Sequence, residues 1–189
     1  MVEVEEALEI IYQEAVKSRK ISMKVSSRIC GFVLSHNIKA HLSLPYFPQS
    51  SMDGYAIKLH NSHIYKVVGE VAAGSSNKYF LKPGEAVRIF TGAKVPESSD
   101  SVVIQEKVTR KENLIFLDEE PIHGQNIRSI GSQIKKNDLV LKKGHTLNPA
   151  SLGILQSLGI NSVEVFDKPS ISIVLTGSEL VRSEEKLTD

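Results

Sequence analysis

The sequence predicts an α+β fold: a discontinuous linking domain of helices and short strands, interrupted by an inserted, small all-β lobe that is barrel-like. Three observations predict it. Helical periodicity lies on either side of a long stretch that lacks it. That stretch, from Ile57 to about Leu117, is a series of short β-branched runs. Near the C-terminus, ISIVLTG carries an apolar run into a Thr-Gly turn, the way the first strand of an α/β domain opens. The expected domains are residues 1–45 and 125–168 for the linking domain, 46–124 for the β lobe, and 169–189 for the start of a truncated α/β domain.

The first element carries Val4, Leu8, Ile11, Tyr12 and Ala15 on one helical stripe, with glutamates crowding its first turns. A second, shorter helix is expected over SSRICGFVLSHN, with Ile29, Val33 and Leu34 buried and Asn37 near its end. The single Cys30 reads as a small apolar side chain packed on that helix, and it excludes an intramolecular disulfide and a cysteine-based zinc site.

PYFPQSSMDGYAI, residues 45–57, follows as a stiff loop. Pro45 and Pro48 fix φ and push the preceding residues toward extended backbone, and Gly54 permits angles that a side chain would forbid. Tyr55, Ala56 and Ile57 then begin a strand, so Asp53 stands at a loop-to-strand junction. Scaffolds often present working groups at such a junction, but an aspartate there also serves as a turn former bonded to its own backbone.

HIYKVVG, EVAAG, EAVRIF, SVVIQEKV and NLIFL supply the strands of the lobe, and GSSN, KPGE and KVPESSD its turns. HGQNIRSIGSQI is irregular and glycine-bearing, and LVL at Leu139 to Leu141 is strand-like. A helix then follows with explicit punctuation: Asn148 as N-cap, Pro149 at its first position, Leu152, Leu155 and Leu158 as the buried face, Gly159 as the stop. SVEVF, residues 162–166, is the next strand. The apolar ISIVL then either pairs with earlier strands of this chain or begins a domain of which little is present, because a buried parallel strand needs a crossover of a dozen or more residues before its partner.

Composition narrows the function. Lys plus Arg number 23 against 22 Asp plus Glu, a net charge of +1, which gives no long-range field to gather nucleic acid or anionic lipid. No apolar run approaches the roughly 18 residues that span a bilayer, and the N-terminus is acidic where a signal peptide is basic, so the chain reads as cytoplasmic. The six histidines form no HxH or HExxH pair, which leaves no transition-metal site legible. The pairs Lys135-Lys136 and Lys142-Lys143 read as solvated, edge-protecting charges.

Five stretches in one order carry more information than any one of them: SSMDGYAI, EAVRIFTGAKVP with DSVVIQE, GQNIR with GSQI, LNPASLGILQSLGI, and IVLTGSELV. Together they resemble the MoeA family of molybdenum cofactor biosynthesis, the molybdopterin molybdenumtransferases, also represented in the eukaryotic scaffold protein gephyrin. The resemblance covers the chain from its first helix to Val181. It implies a longer protein, with a central α/β domain like the pterin-binding protein MogA and a C-terminal β-barrel after the segments present here.

The resemblance further implies a Mg²⁺-dependent reaction in which molybdate is placed on the dithiolene of adenylyl-molybdopterin and AMP is released. Carried over by position, the family's cleft residues fall on Asp53, Thr91, Gln133 and Glu179, with Arg128 and Ser178 as further substrate contacts. Asp53 and Glu179 suit a hard cation that takes one or two carboxylates and keeps several waters. Gly131-Ser132-Gln133-Ile134 departs from the family's Gly-Glu-Asp-Ile, and a neutral amide is a weaker ligand for Mg²⁺ than a carboxylate, though it can still hydrogen-bond molybdate or pterin.

Local chemistry alone offers other roles. Thr91 can cap its own turn, Glu179 can cap a following helix, and Arg128 can be a surface or salt-bridge residue. By resemblance the protein is a homodimer whose cleft lies between the β lobe of one subunit and the α/β domain of the other, with molybdopterin adenylyltransferase and molybdenum enzymes as pathway partners. These 189 residues alone are expected to be inactive. A non-catalytic scaffold or dimerisation module of gephyrin type is the alternative, and a free-standing anion binder would require ISIVL to be satisfied within the chain.

Overall fold

The computed structural model describes residues 2–15, 18–75, 77–177, 180–181 and 183–184. Its elements run α1 (Val4–Glu14), β1 (Lys20–Lys24), β2 (Val33–Leu34), β3 (Ile38–Lys39), β4 (Gln49–Ser50), β5 (Gly54–Ile57), β6 (Ile64–Val71) and β7 (Glu85–Ile89). They continue with β8 (Ser101–Ile104), β9 (Val108–Lys111), β10 (Leu114–Leu117), β11 (Ile127–Arg128), β12 (Leu139–Leu141), α2 (Pro149–Ser157) and β13 (Ser162–Phe166).

Residues from both ends of the chain build one core. β13 is the middle strand of a three-stranded sheet in the order β1-β13-β2, and β12 pairs with β3. Leu155 of α2 packs with Ile29, Leu34, Leu147, Val163 and Val165 in a single buried cluster. α2 is held at its start as its sequence dictates: the Asn148 side chain accepts from the Ser151 amide at 2.9 Å, the Ser151 hydroxyl accepts from the Asn148 amide, and Pro149 opens the helix. Gly159 ends it at φ +69°, a conformation that glycine takes without a Cβ clash.

Two expectations fail here, one because distant strands claim the backbone and one because none is offered to it. SSRICGFVLSHN is not a helix: it makes a single 3-10 turn, Ser27–Ile29, and then enters β2. Gly31 at φ +82° breaks the turn. The backbone beyond it is claimed by distant partners, with the Gly31 amide donating to Leu147, the Leu34 amide to His145, and β2 paired to β13. ISIVL is not a strand either. Residues 171–177 take no regular structure, and Ile171, Ile173, Val174 and Leu175 are each about four-fifths exposed. A strand exists only with a neighbour to bond, and among the described residues none is offered. The expected first strand of an α/β domain is therefore not formed, and neither is the alternative in which this chain satisfies it. α1 does form over the expected stripe, but it buries none of its residues.

The β lobe is a six-stranded, mostly antiparallel sheet in the order β8-β5-β7-β6-β10-β9, with β6 and β7 parallel. Both of its faces are covered. Ala56, Val87 and Ile89 belong to one buried cluster, while Tyr55, Ile57 and Ala86 belong to another. β5 lies between β7 and β8 and is buried along its whole length. Asp53 immediately precedes this rigid strand.

Candidate functional site

Gly54 opens β5 because nothing larger fits: a Cβ there would stand 2.0 Å from the Val103 carbonyl oxygen of β8. Asp53, one residue earlier, is thrust out at the end of the sheet and is exposed. The register aligns Gly54 with Ile89, which carries the chain leaving β7 past the Asp53 side chain. Thr91, in that departing turn, donates to Asp53 Oδ1 twice, from its amide and from its hydroxyl, each at 2.8 Å. These two bonds, amide first, hold the Asp53 carboxyl below its ordinary value of 3.8; slight desolvation by its neighbours opposes them and the Arg88 charge adds to them. Asp53 is thus a fixed, ionised carboxylate. Oδ1 is engaged, and among the described residues Oδ2 has no hydrogen-bond partner.

The loop leading to Asp53 runs between two other motifs. On one side, the Ser50 amide donates to the Ala93 carbonyl, the Gly92 amide to Ser50, and the Val95 amide to Pro48. On the other, β4 pairs with β11, setting Ser50 against Ile127 and Gln49 against Arg128. Ser51 is bonded to Asn126 through both its amide and its hydroxyl. Further along, the Gly131 amide donates to Pro45 and the Gln133 amide to Leu44. SSMDG, FTGAKV and GQNIRSIGSQ are therefore joined side by side by main-chain bonds.

Of the residues expected from the sequence, Asp53 and Thr91 are in direct contact. Arg128 and Gln133 reach the Asp53 loop through the main chain, and both side chains are exposed. Among the described residues the Arg128 guanidinium has no acidic partner. Ser178 and Glu179 lie outside the described residues. No group of three or more His, Cys, Asp or Glu able to hold a metal occurs among the described residues, and no described helix is long and apolar enough to cross a membrane.

Sequence reasoning passed over two residues beside Asp53. Arg88 donates from Nη1 to the Gly54 carbonyl at 3.0 Å and from Nη2 to Gln105 Oε1. Gln105 donates its amide to the Asp53 carbonyl at 3.1 Å. An arginine in a strand reads as solvent-facing, and only the register that sets Arg88 opposite Tyr55 reveals where it points.

Known proteins agree with this architecture. A molybdopterin molybdenumtransferase of Haemophilus influenzae is 40% identical over 162 residues, covering 84% of this chain and 39% of that protein. One of Staphylococcus epidermidis is 30% identical over 194 residues, 98% of this chain and 46% of that protein. The crystal structure of the molybdopterin biosynthesis MoeA protein from Pyrococcus horikoshii OT3 superposes with a TM-score of 0.86 at 31% identity, over 98% of this chain and 51% of that one. The chain thus spans about half of the length of these relatives, or less. Residues 2–159 match the family described as the MoeA N-terminal region, domains I and II, and the chain belongs to that family.

Proposed function

We propose that this chain forms one wall of a cleft in which molybdate is inserted into adenylyl-molybdopterin with release of AMP. The observation that carries the reading is the Asp53–Thr91 contact, which leaves an ionised carboxylate oxygen exposed at the end of a rigid strand. Relatives named molybdopterin molybdenumtransferase share this part of the sequence.

The residues present fit Mg²⁺ in a limited sense. A hard cation that keeps several waters needs few protein donors, and Asp53 Oδ2 is a hard donor held ionised by the Thr91 bonds. Bound there, Mg²⁺ would neutralise charge at the phosphoanhydride of the substrate. Thr91 orients Asp53, so that the carboxylate offers one oxygen outward instead of rotating freely. Arg128, exposed on β11 beside the same loop, is the cationic group suited to an oxyanion, and Gln133 offers a neutral amide. Glu179 remains the proposed second acidic donor, and Ser178 a further substrate contact.

On this reading the complete site also needs an α/β domain, contributed by a partner subunit in a homodimer. Adenylyl-molybdopterin would come from molybdopterin adenylyltransferase in the cytoplasm, and the product would pass to molybdenum enzymes. The 189 residues by themselves then release no AMP.

A chimera tests the proposal. Residues 2–159 replace the matching region of the Haemophilus influenzae protein, and AMP release and molybdenum insertion are measured. The expected result is an active chimera, slowed roughly 100-fold by Asp53→Asn with folding intact. A folded chimera that is inactive with Asp53 present, or unimpaired by Asp53→Asn, would overturn it.

A further inference from the structure

The direction of a side chain at the end of a loop is set by the peptide units around its Cα. At Asp53 three consecutive carbonyls are each held. The Met52 carbonyl accepts from the Ser50 hydroxyl, the Asp53 carbonyl from the Gln105 amide at 3.1 Å, and the Gly54 carbonyl from Arg88 Nη1 at 3.0 Å. The last two bonds belong to one device, because Arg88 Nη2 donates to the side chain of Gln105. Arg88 is itself fixed: its guanidinium lies 5.3 Å from the Tyr55 ring centroid and 4.9 Å from that of Phe90.

We infer that Arg88, acting with Gln105, is a positioning residue for the Asp53 carboxylate, locking the two peptide units that follow Asp53 so that its side chain stays against Thr91. The inference rests on reading Asp53 as the cation-facing group of the cleft. Both terminal guanidinium nitrogens of Arg88, Nη1 and Nη2, donate to protein acceptors, so its work here is to aim Asp53 while other groups meet the substrate. A lysine offers charge without the planar fork that reaches both acceptors, and would replace it only in part.

Amide hydrogen exchange on the folded protein tests this directly. The amides of Thr91 and Gln105 report the two ends of the device, since they donate to the Asp53 carboxylate and carbonyl; the Leu34 and Ile160 amides of the linking domain serve as references. Arg88→Met is expected to speed exchange at Thr91 and Gln105 by about tenfold with the references unchanged, and Arg88→Lys to restore part of the protection. Mg²⁺ titration of the same proteins is expected to show affinity weakened about fivefold in Arg88→Met. Unchanged exchange at both reporter amides in folded Arg88→Met would overturn the inference. If that variant does not fold, Gln105→Met removes the acceptor of Nη2, together with an exposed bond from Gln105 Nε2 to Glu106, and is judged by the same amides. Asp53→Asn separates the two claims: if Mg²⁺ binding survives it, the reading of Asp53 is wrong, whereas if binding is lost there but unaffected by Arg88→Met, the positioning role is wrong.

Discussion

Thr91 gives both its amide and its hydroxyl to the same oxygen of Asp53, each at 2.8 Å. Two donors on one acceptor do more than lower its proton affinity. They fix the plane of the carboxylate, and they leave the second oxygen without a competing partner among the described residues. The two residues are far apart in sequence and meet because β5 and β7 are antiparallel in the register that sets Gly54 against Ile89.

Thr91→Val separates the two donors, since it removes the hydroxyl and keeps the amide. The Asp53 carboxyl is expected to rise toward its ordinary value of 3.8 without reaching it, as followed by carbon NMR of the carboxylate during an acid titration. In the chimeric enzyme the same substitution is expected to slow molybdenum insertion about tenfold, because a mobile carboxylate is less often in position. An unmoved titration would show that the amide alone holds Asp53.

Gly54→Ala tests how the carboxylate is presented. Its Cβ would lie 2.0 Å from the Val103 carbonyl oxygen and 3.0 Å from the Ile104 Cα, which are backbone atoms of the paired strand β8 and cannot rotate away as a side chain could. β5 and β8 must separate locally, at an expected cost of about 2–3 kcal/mol in urea unfolding. Exchange at the Gln105 amide should rise with it, because that amide bonds the carbonyl of the displaced Asp53. A variant as stable as the parent would show that the lobe is looser than its buried strand implies.

The legible parts of this fold are those settled by neighbours in sequence. α2 is announced by Asn148, Pro149 and Gly159, and each does locally what its chemistry suggests. The β lobe is legible from its short β-branched runs and the turn residues between them. SSRICGFVLSHN is not, since the spacing of Ile29, Val33 and Leu34 suits a helix as well as a buried extended chain, and the choice is made by β13, which the segment cannot show. The same holds at the site. Asp53 and Thr91 stand out by residue type and motif, whereas Arg88 becomes informative only when the sheet places it beside Gly54 and Gln105.

α1 forms where its periodicity predicts a helix and yet buries none of its residues. Its apolar stripe is exposed, with Leu8 at 47% and Ile11 at 62%. The double substitution Leu8→Gln, Ile11→Gln is therefore expected to change the unfolding free energy by less than about 0.5 kcal/mol in dilute solution. A larger loss that grows with protein concentration would show a second copy covering this face, because stabilisation by association follows mass action.

Acid should weaken the lobe through Asp100, which closes the other end of β5. Its Oδ1 accepts from Lys58 at 2.8 Å and its Oδ2 from the Leu59 amide at 3.0 Å, while its main chain bonds Ile57 and Gly124 and so ties the strand to the GQNIR turn. Burial pushes this carboxyl up, but the bonds from Lys58 and Leu59 and the charges of Lys58 and His123 outweigh it, and the net shift is downward from 3.8. The sign follows from which state takes the proton first. On acidification the unfolded chain protonates near 3.8 while the folded one still resists, so the contribution is complete above that value and is lost as pH falls through the lower folded one. Asp53, also lowered, acts in the same direction. Asp100→Asn is expected to cost about 1–2 kcal/mol near neutral pH, as the loss of a charged hydrogen-bond acceptor should. The gap between parent and variant should then narrow below pH 3.8 in urea unfolding, and a gap that stays constant into acid would place the cost in the shape of the amide and not in the charge of the carboxylate.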